Sequence, residues 1–399
     1  MADQHANHNL GKFTQSMDEI EEYIKQNPVN LIVSPGDLFD SVVDADTDYH
    51  YILNKFANFA NYNPLITTRG TPSHDYKGSL NVLREYKTKF PLIVVDESNF
   101  IDGAYLYTYK DNTFESVNKI GLNSNFKQLE KGYEQIVVLP LPWPLRSNFL
   151  TNEELKFSLV EQEKLFQKKL KNWCDERRIF TKRCPLPVIF ISHLQLEGSI
   201  PSLKQDLYSD THKLEMFGGV GDIGLGGHIH KNQALQIGNW RFYYSGNIYN
   251  KTWNELENKY FNIVTIEDKH NIKVKRIKLN TPVLIKVDLD GFQEYENFKV
   301  EFKNDIVKRY EENTKFELWI RLNIPDKTLF SAVEQEYWNK ITLSTRIDLN
   351  YLKNGSIKRV DNYDSKMSTD KKFVTWATKI KNVQPSNFQI NKIKQLEEN

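Results

Sequence analysis

Short apolar runs recur along the first half of the chain, and each one ends in glycine, proline or polar residues. Runs of this length that are rich in valine, isoleucine and leucine are typical of buried strands. They lie at 29–33, 65–68, 91–95, 135–140 and 188–191. Helical spacing fills the intervals, at 17–26 and again at 151–173, where Thr151 to Glu154 form a capping box. Alternation of strands and helices up to about residue 200 predicts a layered α/β core.

The pattern changes after residue 235. Predicted strands at 240–244, 261–266 and 272–277 would form a meander that flanks the same sheet. A small α+β module follows, in which strand-like and helical segments alternate. These segments are 283–287, 298–310, 316–322 and 329–338. The segment 361–370 reads as a polar linker before two short helices. We therefore predict three parts: a larger α/β domain at 1–279, an α+β domain at 280–355, and a linker with C-terminal helices at 356–399.

Composition narrows the class of protein. Lysine and arginine number 53 against 52 aspartates and glutamates, so no overall basic charge indicates a nucleic-acid binder, although a local basic groove is still allowed. No stretch approaches the roughly 18 apolar residues of a membrane helix, and the first residues lack a signal-peptide pattern. The two cysteines, Cys174 and Cys184, make no disulfide framework. These features predict a cytoplasmic globular protein with no membrane partner.

Histidines and aspartates follow several of the predicted strands. Because the carboxyl ends of parallel strands meet at one edge of a sheet, side chains distant in sequence can converge there. The candidates are Asp3, His5, Asp37, His74, His193, His228 and His230. Mixed imidazole and carboxylate ligands suit manganese, iron or zinc.

Each fragment alone is ambiguous. Gly36-Asp37 equally fits a turn, and a single His193 equally fits a hydrogen-bonded core histidine. Gly227-His228-Ile229-His230 is more specific, because residues two apart on an extended strand project to the same side. The remaining histidines, His50, His212 and His270, lack such context and are predicted to lie on the surface.

In order along the chain, these motifs resemble those of the calcineurin-like metallophosphoesterases. The set is Asp3-x-His5, Gly36-Asp37-x-x-Asp40, Gly70 to Asp75, Ser192-His193 and Gly227-His228-x-His230. Within that superfamily, residues 222–231 and 244–249 resemble the SbcD-like nuclease subunits. The motifs cover residues 1–275, and the module at 282–350 matches the family's capping domain by position and pattern only. The resemblance implies a four-layer α/β/β/α sandwich followed by that capping domain.

The resemblance also implies roles for individual residues. One metal would be held by Asp3, His5 and His230, and a second by His193, His228 and Ser73. Asp37 would bridge the two metals. His74 would be the catalytic histidine, oriented by Asp40. The family's cofactors are two divalent ions, with Mn²⁺ expected here and Mg²⁺, Fe²⁺ or Zn²⁺ as alternatives.

Two features depart from the family pattern. The family's Gly-Asn-His-Asp loop reads Gly70-Thr71-Pro72-Ser73-His74-Asp75 here, and a serine hydroxyl is a poorer ligand than an amide oxygen. The family's first Asp-x-His ends a buried strand, whereas only Met1 and Ala2 precede Asp3. That strand is therefore absent, supplied in some other way, or encoded upstream.

The function implied by the resemblance is a metal-dependent DNA exonuclease or endonuclease in recombination, repair or replication. Trp143, Arg146 and Lys231 would contact the substrate, and the basic pairs at 177–178 and 182–183 could extend the groove, although each charge equally fits a solvated surface. Two other functions remain open. One is a stand-alone phosphatase or phosphodiesterase acting on small molecules or proteins, and the other is a non-catalytic scaffold that binds DNA ends.

The last segment of the chain predicts a partner. A helix at 372–381 would place Phe373, Trp376 and Ile380 on one face, and a capping box at Ser386 would open a second helix. These helices could fold back on their own chain, or they could dock in a groove of another protein with Trp376 as the anchor. The resemblance implies docking onto an SMC-like, SbcC-type ATPase, in a two-plus-two complex built on a homodimer.

Overall fold

The computed structural model describes residues 1–5, 10–39, 46–101, 103–124, 126, 134–202, 211–309, 315–324, 332–351 and 374. Asp40, Phe373, Trp376, Ile380 and the predicted C-terminal helices lie outside these residues, apart from the single position 374. Helices and several sheets alternate along the chain, which confirms the α/β class. No helix within the described ranges is both long and apolar enough to cross a membrane.

The helices and strands are numbered in chain order. The helices are α1 (Leu10–Gln26), α2 (Asp46–Tyr62), α3 (Asn81–Glu85), α4 (Arg146–Phe149), α5 (Leu159–Arg183), α6 (Leu214–Phe217), α7 (Phe292–Glu301) and α8 (Ala332–Ile341). The strands are β1 (Ile32–Ser34), β2 (Leu65–Thr68), β3 (Leu92–Val95), β4 (Ala104–Lys110), β5 (Thr113–Ile120), β6 (Glu134–Leu141), β7 (Val188–His193), β8 (Ile223–Gly227), β9 (Gln233–Ile237), β10 (Trp240–Tyr244), β11 (Tyr260–Ile266), β12 (Ile272–Lys278), β13 (Val283–Asp290), β14 (Phe316–Ile324) and β15 (Ser344–Tyr351).

Two sheets carry the candidate residues. A three-stranded parallel sheet has the order β1-β2-β3, and a seven-stranded mixed sheet has the order β5-β4-β6-β7-β8-β10-β9. In the larger sheet β6, β7, β8 and β10 are parallel, so their carboxyl ends lie along one edge. The ends of β1, β2, β7 and β8 and the loops that follow them carry Asp37, His74, His193 and His228 to these edges.

Alternate side chains of the small sheet enter different apolar cores, as the two-residue period of a strand requires. Ile32, Leu65 and Val94 pack in one core with side chains of α1 and α2. Their neighbours Ile66 and Val95 pack in a second core with side chains of the seven-stranded sheet and α5. Both faces of the small sheet are therefore covered, which explains why its strands read as continuous apolar runs.

Several sequence expectations need correction. The capping box at Thr151 precedes a short 3₁₀ turn at Glu154–Lys156, and α5 begins only at Leu159, behind a second capping box formed by Ser158 and Glu161. The hairpin β4–β5 was not predicted. β11 and β12 pair with each other as a separate two-stranded sheet instead of joining the main one.

Two surface predictions are also wrong. His212 is buried, 4% exposed, beside the rings of Phe166 and Phe217. Arg177 is 2% exposed, and its guanidinium lies over the Trp173 ring and donates to the Ile101 carbonyl. Arg177 is therefore part of the core and lines no groove.

The chain divides into two compact units. The first contains Met1–Ile285, Glu311–Leu318 and Ile341–Ser344, and the second contains Lys286–Tyr310, Trp319–Lys340 and Thr345–Asn399. In the second unit Trp338 of α8 is fully buried against rings of α7 and the turn that follows it, and its Nε1 donates to the Tyr295 hydroxyl at 2.8 Å. β13, β14 and β15 form a three-stranded sheet in the order β13-β14-β15.

Candidate metal centre

The first five residues lie against the loop after β1 without forming a strand. The amino group of Met1 donates to the Val33 carbonyl at 3.1 Å, and the amides of Asp3 and His5 donate to Gly36 and Asp37 at 3.2 and 3.1 Å. Asp3 and His5 both have positive φ, 52° and 43°. A backbone folded in this way brings the buried side chains of Asp3 and His5 inward.

The turn that carries Asp37 is held by a carboxylate that sequence reasoning missed. Asp75 is fully buried and accepts hydrogen bonds from the backbone amides of Asp37, Leu38 and Gly70 at 2.9, 3.0 and 2.8 Å. Asp37 itself has φ of +52°, a conformation that a non-glycine residue keeps only where its surroundings enforce it. Asp75 therefore fixes the loops after β1 and β2 to each other.

Close backbone approach explains the glycines of two motifs. A Cβ on Gly70 would lie 2.1 Å from Oδ1 of Asp37, and one on Gly36 would lie 2.7 Å from Nδ1 of His193. Any other residue at Gly70 would therefore push the Asp37 carboxylate out of place.

The structure brings all the predicted histidine and aspartate ligands together in overlapping groups. In each group the ligand atoms lie within 4.8 Å of one another. The groups are Asp3, His5 and His230; His5, Asp37 and His74; and Asp37, His193 and His228. Asp37 belongs to two groups, as does His5. The first group contains the three residues expected for one metal without the bridging Asp37, and the third contains His193 and His228 of the other set with Asp37 and without Ser73.

Hydrogen bonds fix which nitrogen His193 and His230 turn toward the centre. His193 Nδ1 donates to the Pro35 carbonyl at 2.7 Å, so its Nε2 faces the Asp37 carboxylate at 3.1 Å. His230 Nδ1 donates to Glu255 at 2.9 Å, and its Nε2 lies 2.8 Å from Nε2 of His5. Fixing the outer nitrogen in this way sets the tautomer and ring orientation of a metal ligand.

Glu255 is the second buried carboxylate missing from the sequence-based set. It is 2% exposed, and it accepts from His230, from Nδ2 of Asn247 at 2.7 Å and from Nζ of Lys259 at 2.7 Å. Burial alone would raise the pKa of Glu255, but the positive charge of Lys259 and the contact with His230 lower it. The carboxylate therefore stays ionised behind the imidazole.

The electrostatics of the centre favour a cation. Burial, with the Asp37 charge as a smaller contribution, raises the pKa of Asp3 to about 6. Burial lowers the pKa of His228 to about 3, and that of His5 well below its usual value. Burial would also lower the pKa of His193, but the Asp37 carboxylate raises it to about 9. The neutral imidazoles of His5 and His228 offer lone pairs to a metal ion, whereas His193 must release a proton to bind one.

One carboxylate oxygen of Asp3 tests whether the centre fits a metal ion. Oδ2 of Asp3 is buried and has no hydrogen-bond partner among the described residues, whereas Oδ1 accepts from the His228 amide at 2.6 Å. A buried carboxylate oxygen without a partner costs free energy unless a cation occupies the space before it. The donor set of imidazoles and carboxylates therefore fits a divalent metal of the first transition row.

Thr71, and not Ser73, contacts Asp37. Oδ1 of Asp37 accepts from the amide and the hydroxyl of Thr71 at 2.6 and 2.9 Å. Ser73 is exposed, and its hydroxyl donates to Oγ1 of Thr71 at 3.3 Å. Sequence reasoning gave Thr71 no role, and the role of Ser73 as a metal ligand stays a prediction. No pattern in the sequence distinguishes the two.

The predicted substrate residues have different positions. The indole of Trp143 is partly exposed, and its ring centre lies 5.0 Å from that of His228 and 5.9 Å from that of His193. Lys231 directly follows His230 and is partly exposed. Arg146 donates through Nε and Nη2 to Glu163 at 2.9 and 2.6 Å, so its charge is balanced within the protein.

Comparisons with known proteins add little. No family model matches the chain, and no curated protein matches it. Among solved structures, the chain is similar to GAP50, the anchor in the inner membrane complex of Plasmodium, with 14% identity and a TM-score of 0.41. That match covers 70% of this chain and 87% of that one. A likeness of this size supports no functional assignment.

Proposed function

We propose that the protein is a two-metal phosphodiesterase of the calcineurin-like type, an SbcD-like nuclease. The observation that carries the proposal is the overlap of the ligand groups: Asp37 lies in one group with His193 and His228 and in another with His5, and His5 also lies in the group of Asp3 and His230. Two adjoining sets of ligands of this kind would suit a pair of divalent ions. The described architecture supports the same family. Helices α1 and α2 pack on the small sheet, and its other face shares a core with the large sheet and α5. We interpret this as the four-layer α/β/β/α sandwich.

In this proposal Asp3, His5 and His230 hold one divalent ion, and Asp37, His193 and His228 hold the other, with Mn²⁺ as the expected metal. Two such ions, when bound, supply Lewis acidity and a nucleophilic water at neutral pH. Other residues of the chain hold the ligands in position. Asp75 and Pro35 hold Asp37 and His193 in position, and Glu255 holds His230.

His74 is proposed as the proton donor to the leaving oxygen. Its ring centre lies 4.5 Å from that of His5, and the residue is partly exposed, so a substrate oxygen can reach it. A histidine at the mouth of the centre suits general acid catalysis. Asp40, expected to orient His74, lies outside the described residues.

DNA is the proposed substrate, with Trp143 and Lys231 at the rim of the centre as contacts for the strand. A partly exposed indole offers a stacking surface, and a lysine offers a phosphate contact. The α+β unit, predicted at 280–355, is proposed as a capping domain that also contacts DNA. The proposed setting is the cytoplasm, in association with the nucleoid, or the cytoplasm of the host cell if a phage encodes the protein.

The proposed partner is an SbcC-type ATPase, which the C-terminal helices would bind within a two-plus-two complex. Phe373, Trp376 and Ile380, which would form the contact, lie outside the described residues. Removal of residues 365–399 should therefore abolish capture of the ATPase and leave hydrolysis of a small phosphodiester intact. Trp376→Ala should reproduce much of that loss, since a buried aromatic anchor contributes about 2 kcal/mol or more.

One experiment separates the proposed nuclease from its alternatives. The purified protein is stripped with EDTA, titrated with Mn²⁺, and assayed on linear DNA, on a chromogenic phosphodiester and on a chromogenic phosphomonoester. A nuclease hydrolyses the first two substrates only when the metal is present. Hydrolysis of the monoester alone would favour a phosphatase. Binding to DNA ends without hydrolysis of any substrate would favour the scaffold.

A further inference from the structure

The structure contains a cavity of about 570 Å³ whose walls belong to the first unit alone. This volume falls in the range of small-molecule sites, roughly 300–1,000 Å³. The lining residues are Lys12, Gln15, Lys251, Trp253, Lys315, Glu317, Leu343 and Ser344.

The walls carry more positive than negative charge. Three lysines, Lys12, Lys251 and Lys315, line the cavity together with a single glutamate. Lys12 donates to that glutamate, Glu317, at 2.6 Å. The lining side chains therefore sum to a net positive charge. Lysine ammonium groups bind phosphate oxygens as point charges, so the ligand that these walls favour is an anion.

The wall also contains an aromatic surface. The indole of Trp253 is partly exposed, and Nζ of Lys12 lies 5.9 Å from its ring centre. Stacking on tryptophan is open to every nucleobase, because each base has a π face. A tryptophan beside lysines thus matches a ligand that combines a flat ring with a phosphate.

Two hydrogen bonds to one carboxylate connect the cavity wall with the metal centre. The amide of Lys251 donates to Oε2 of Glu255 at 3.2 Å, and Oε1 of the same carboxylate accepts from Nδ1 of His230 at 2.9 Å. A single residue, Glu255, therefore connects Lys251 of the cavity wall with His230, a proposed metal ligand. None of the residues that line the cavity is a candidate metal ligand.

We propose that this cavity binds one nucleotide, with its phosphate between Lys251 and Lys315 and its base against Trp253. The nucleotide can be a unit of the DNA strand whose neighbouring phosphate is cleaved, or a free nucleoside monophosphate. Only the first of these rests on the proposed nuclease function.

Binding is tested on the full chain in EDTA, so that the outcome does not depend on metal or on turnover. Titration calorimetry measures affinity for dAMP, for inorganic phosphate and for a short oligodeoxynucleotide. The variants are Lys251→Gln, Lys315→Gln and Trp253→Leu. The control is Lys273→Gln, an exposed lysine of β12 that pairs with Glu267. Circular dichroism verifies that each variant is folded.

We expect dAMP to bind each lysine variant roughly tenfold more weakly than the wild type, because each variant loses one charge-assisted contact. Trp253→Leu should weaken binding of dAMP but not of inorganic phosphate, and Lys273→Gln should weaken neither. If the oligodeoxynucleotide competes with dAMP, the cavity binds a nucleotide unit of the DNA strand. If the two do not compete, the cavity binds the free nucleotide.

Failure of wild-type protein to bind dAMP, or wild-type affinity in both lysine variants, would overturn the proposal. The same wild-type protein is assayed with Mn²⁺ on the chromogenic phosphodiester. Hydrolysis without dAMP binding would refute only the proposal that the cavity binds a nucleotide. Binding of dAMP without hydrolysis would refute only the proposed nuclease function.

Discussion

The carboxylate of Glu255 accepts a hydrogen bond from Nδ1 of His230 at 2.9 Å, and this bond turns Nε2 of His230 toward His5. The same carboxylate binds the buried ammonium of Lys259 at 2.7 Å, which keeps it ionised. Carboxylates placed in this way behind a ligating imidazole fix its orientation and raise its basicity.

Glu255→Gln should therefore weaken Mn²⁺ binding about 10-fold to 100-fold, the usual range for loss of an outer-shell partner. The glutamine keeps the shape of the side chain and removes its charge. Titration calorimetry on EDTA-stripped protein measures the affinity. Glu267→Gln, the same change at an exposed residue directly after β11, is the matched control and should bind as the wild type does. Equal affinities in a folded Glu255→Gln variant would show that His230 is held by other contacts or is not a ligand.

Asp37 and His74 should differ in their effects on metal content. Asp37 lies in two of the ligand groups, so Asp37→Ala should abolish binding of both ions and all hydrolysis. His74→Ala should keep both ions and lose most turnover, because the proposed role of His74 is to protonate the leaving group. Elemental analysis of dialysed protein gives the ions per chain, and the chromogenic phosphodiester gives the rate. Loss of an ion from His74→Ala would make His74 a ligand, a role that its place beside His5 and Asp37 also permits.

Thr71 should matter more than Ser73. The Thr71 hydroxyl donates to Oδ1 of Asp37 at 2.9 Å, and a hydrogen bond to a charged group contributes about 1.5–3 kcal/mol. Thr71→Val keeps the shape of the side chain and removes that donor, so Mn²⁺ affinity should fall roughly tenfold. Ser73→Ala changes an exposed hydroxyl and should leave the affinity within about twofold. Calorimetry on the two variants compares them directly, and a larger loss in Ser73→Ala would restore the serine as a ligand.

The positions of most candidate ligands follow from the local pattern of apolar and polar residues in the sequence. β2 and β10 have the predicted bounds, and β1, β3, β6 and β7 differ from theirs by a few residues. Apolar runs that end in glycine or aspartate mark both the strand and the loop after it, and parallel pairing then brings the loops together. Convergence of Asp37 and His193 was therefore predictable from spacing and topology, whereas His228 follows β8, a strand that was not predicted.

Other features depend on packing that the sequence does not display. β8 is rich in glycine and carries little strand propensity, yet a Cβ on Gly224 or Gly226 would lie 2.3 or 2.2 Å from the Phe242 ring of the neighbouring strand. Asp75 and Glu255 act through backbone amides and an imidazole distant in sequence. A motif shows which residues are present, but it does not show which carboxylate faces solvent and which supports the centre.

The contact between α1 and α2 predicts a dependence of stability on pH. Lys55 of α2 is 8% exposed, and it donates to Asp18 at 2.6 Å and also to Glu21, both on α1. Burial alone would raise the pKa of Glu21, but hydrogen bonds from Lys55 and Lys25 lower it below 4.5. A carboxylate whose pKa is depressed by folding stabilises the native state above its unfolded pKa, and this stabilisation is lost as the pH falls through the folded value.

Glu21→Gln should therefore unfold at lower urea concentration than the wild type at pH 7, and the difference should shrink as the pH is lowered through and below 4.5. The neutral amide leaves the buried Lys55 with only Asp18 as an ionised partner on α1, and removal of one partner of a buried ion pair is strongly destabilising. Urea midpoints at pH 7, 5 and 4 measure the effect. Glu22→Gln, the exposed neighbouring residue, should have the wild-type midpoint at each pH. A difference between Glu21→Gln and wild type that stays constant across this range would mean that Glu21 stabilises α1 and α2 by packing rather than by charge.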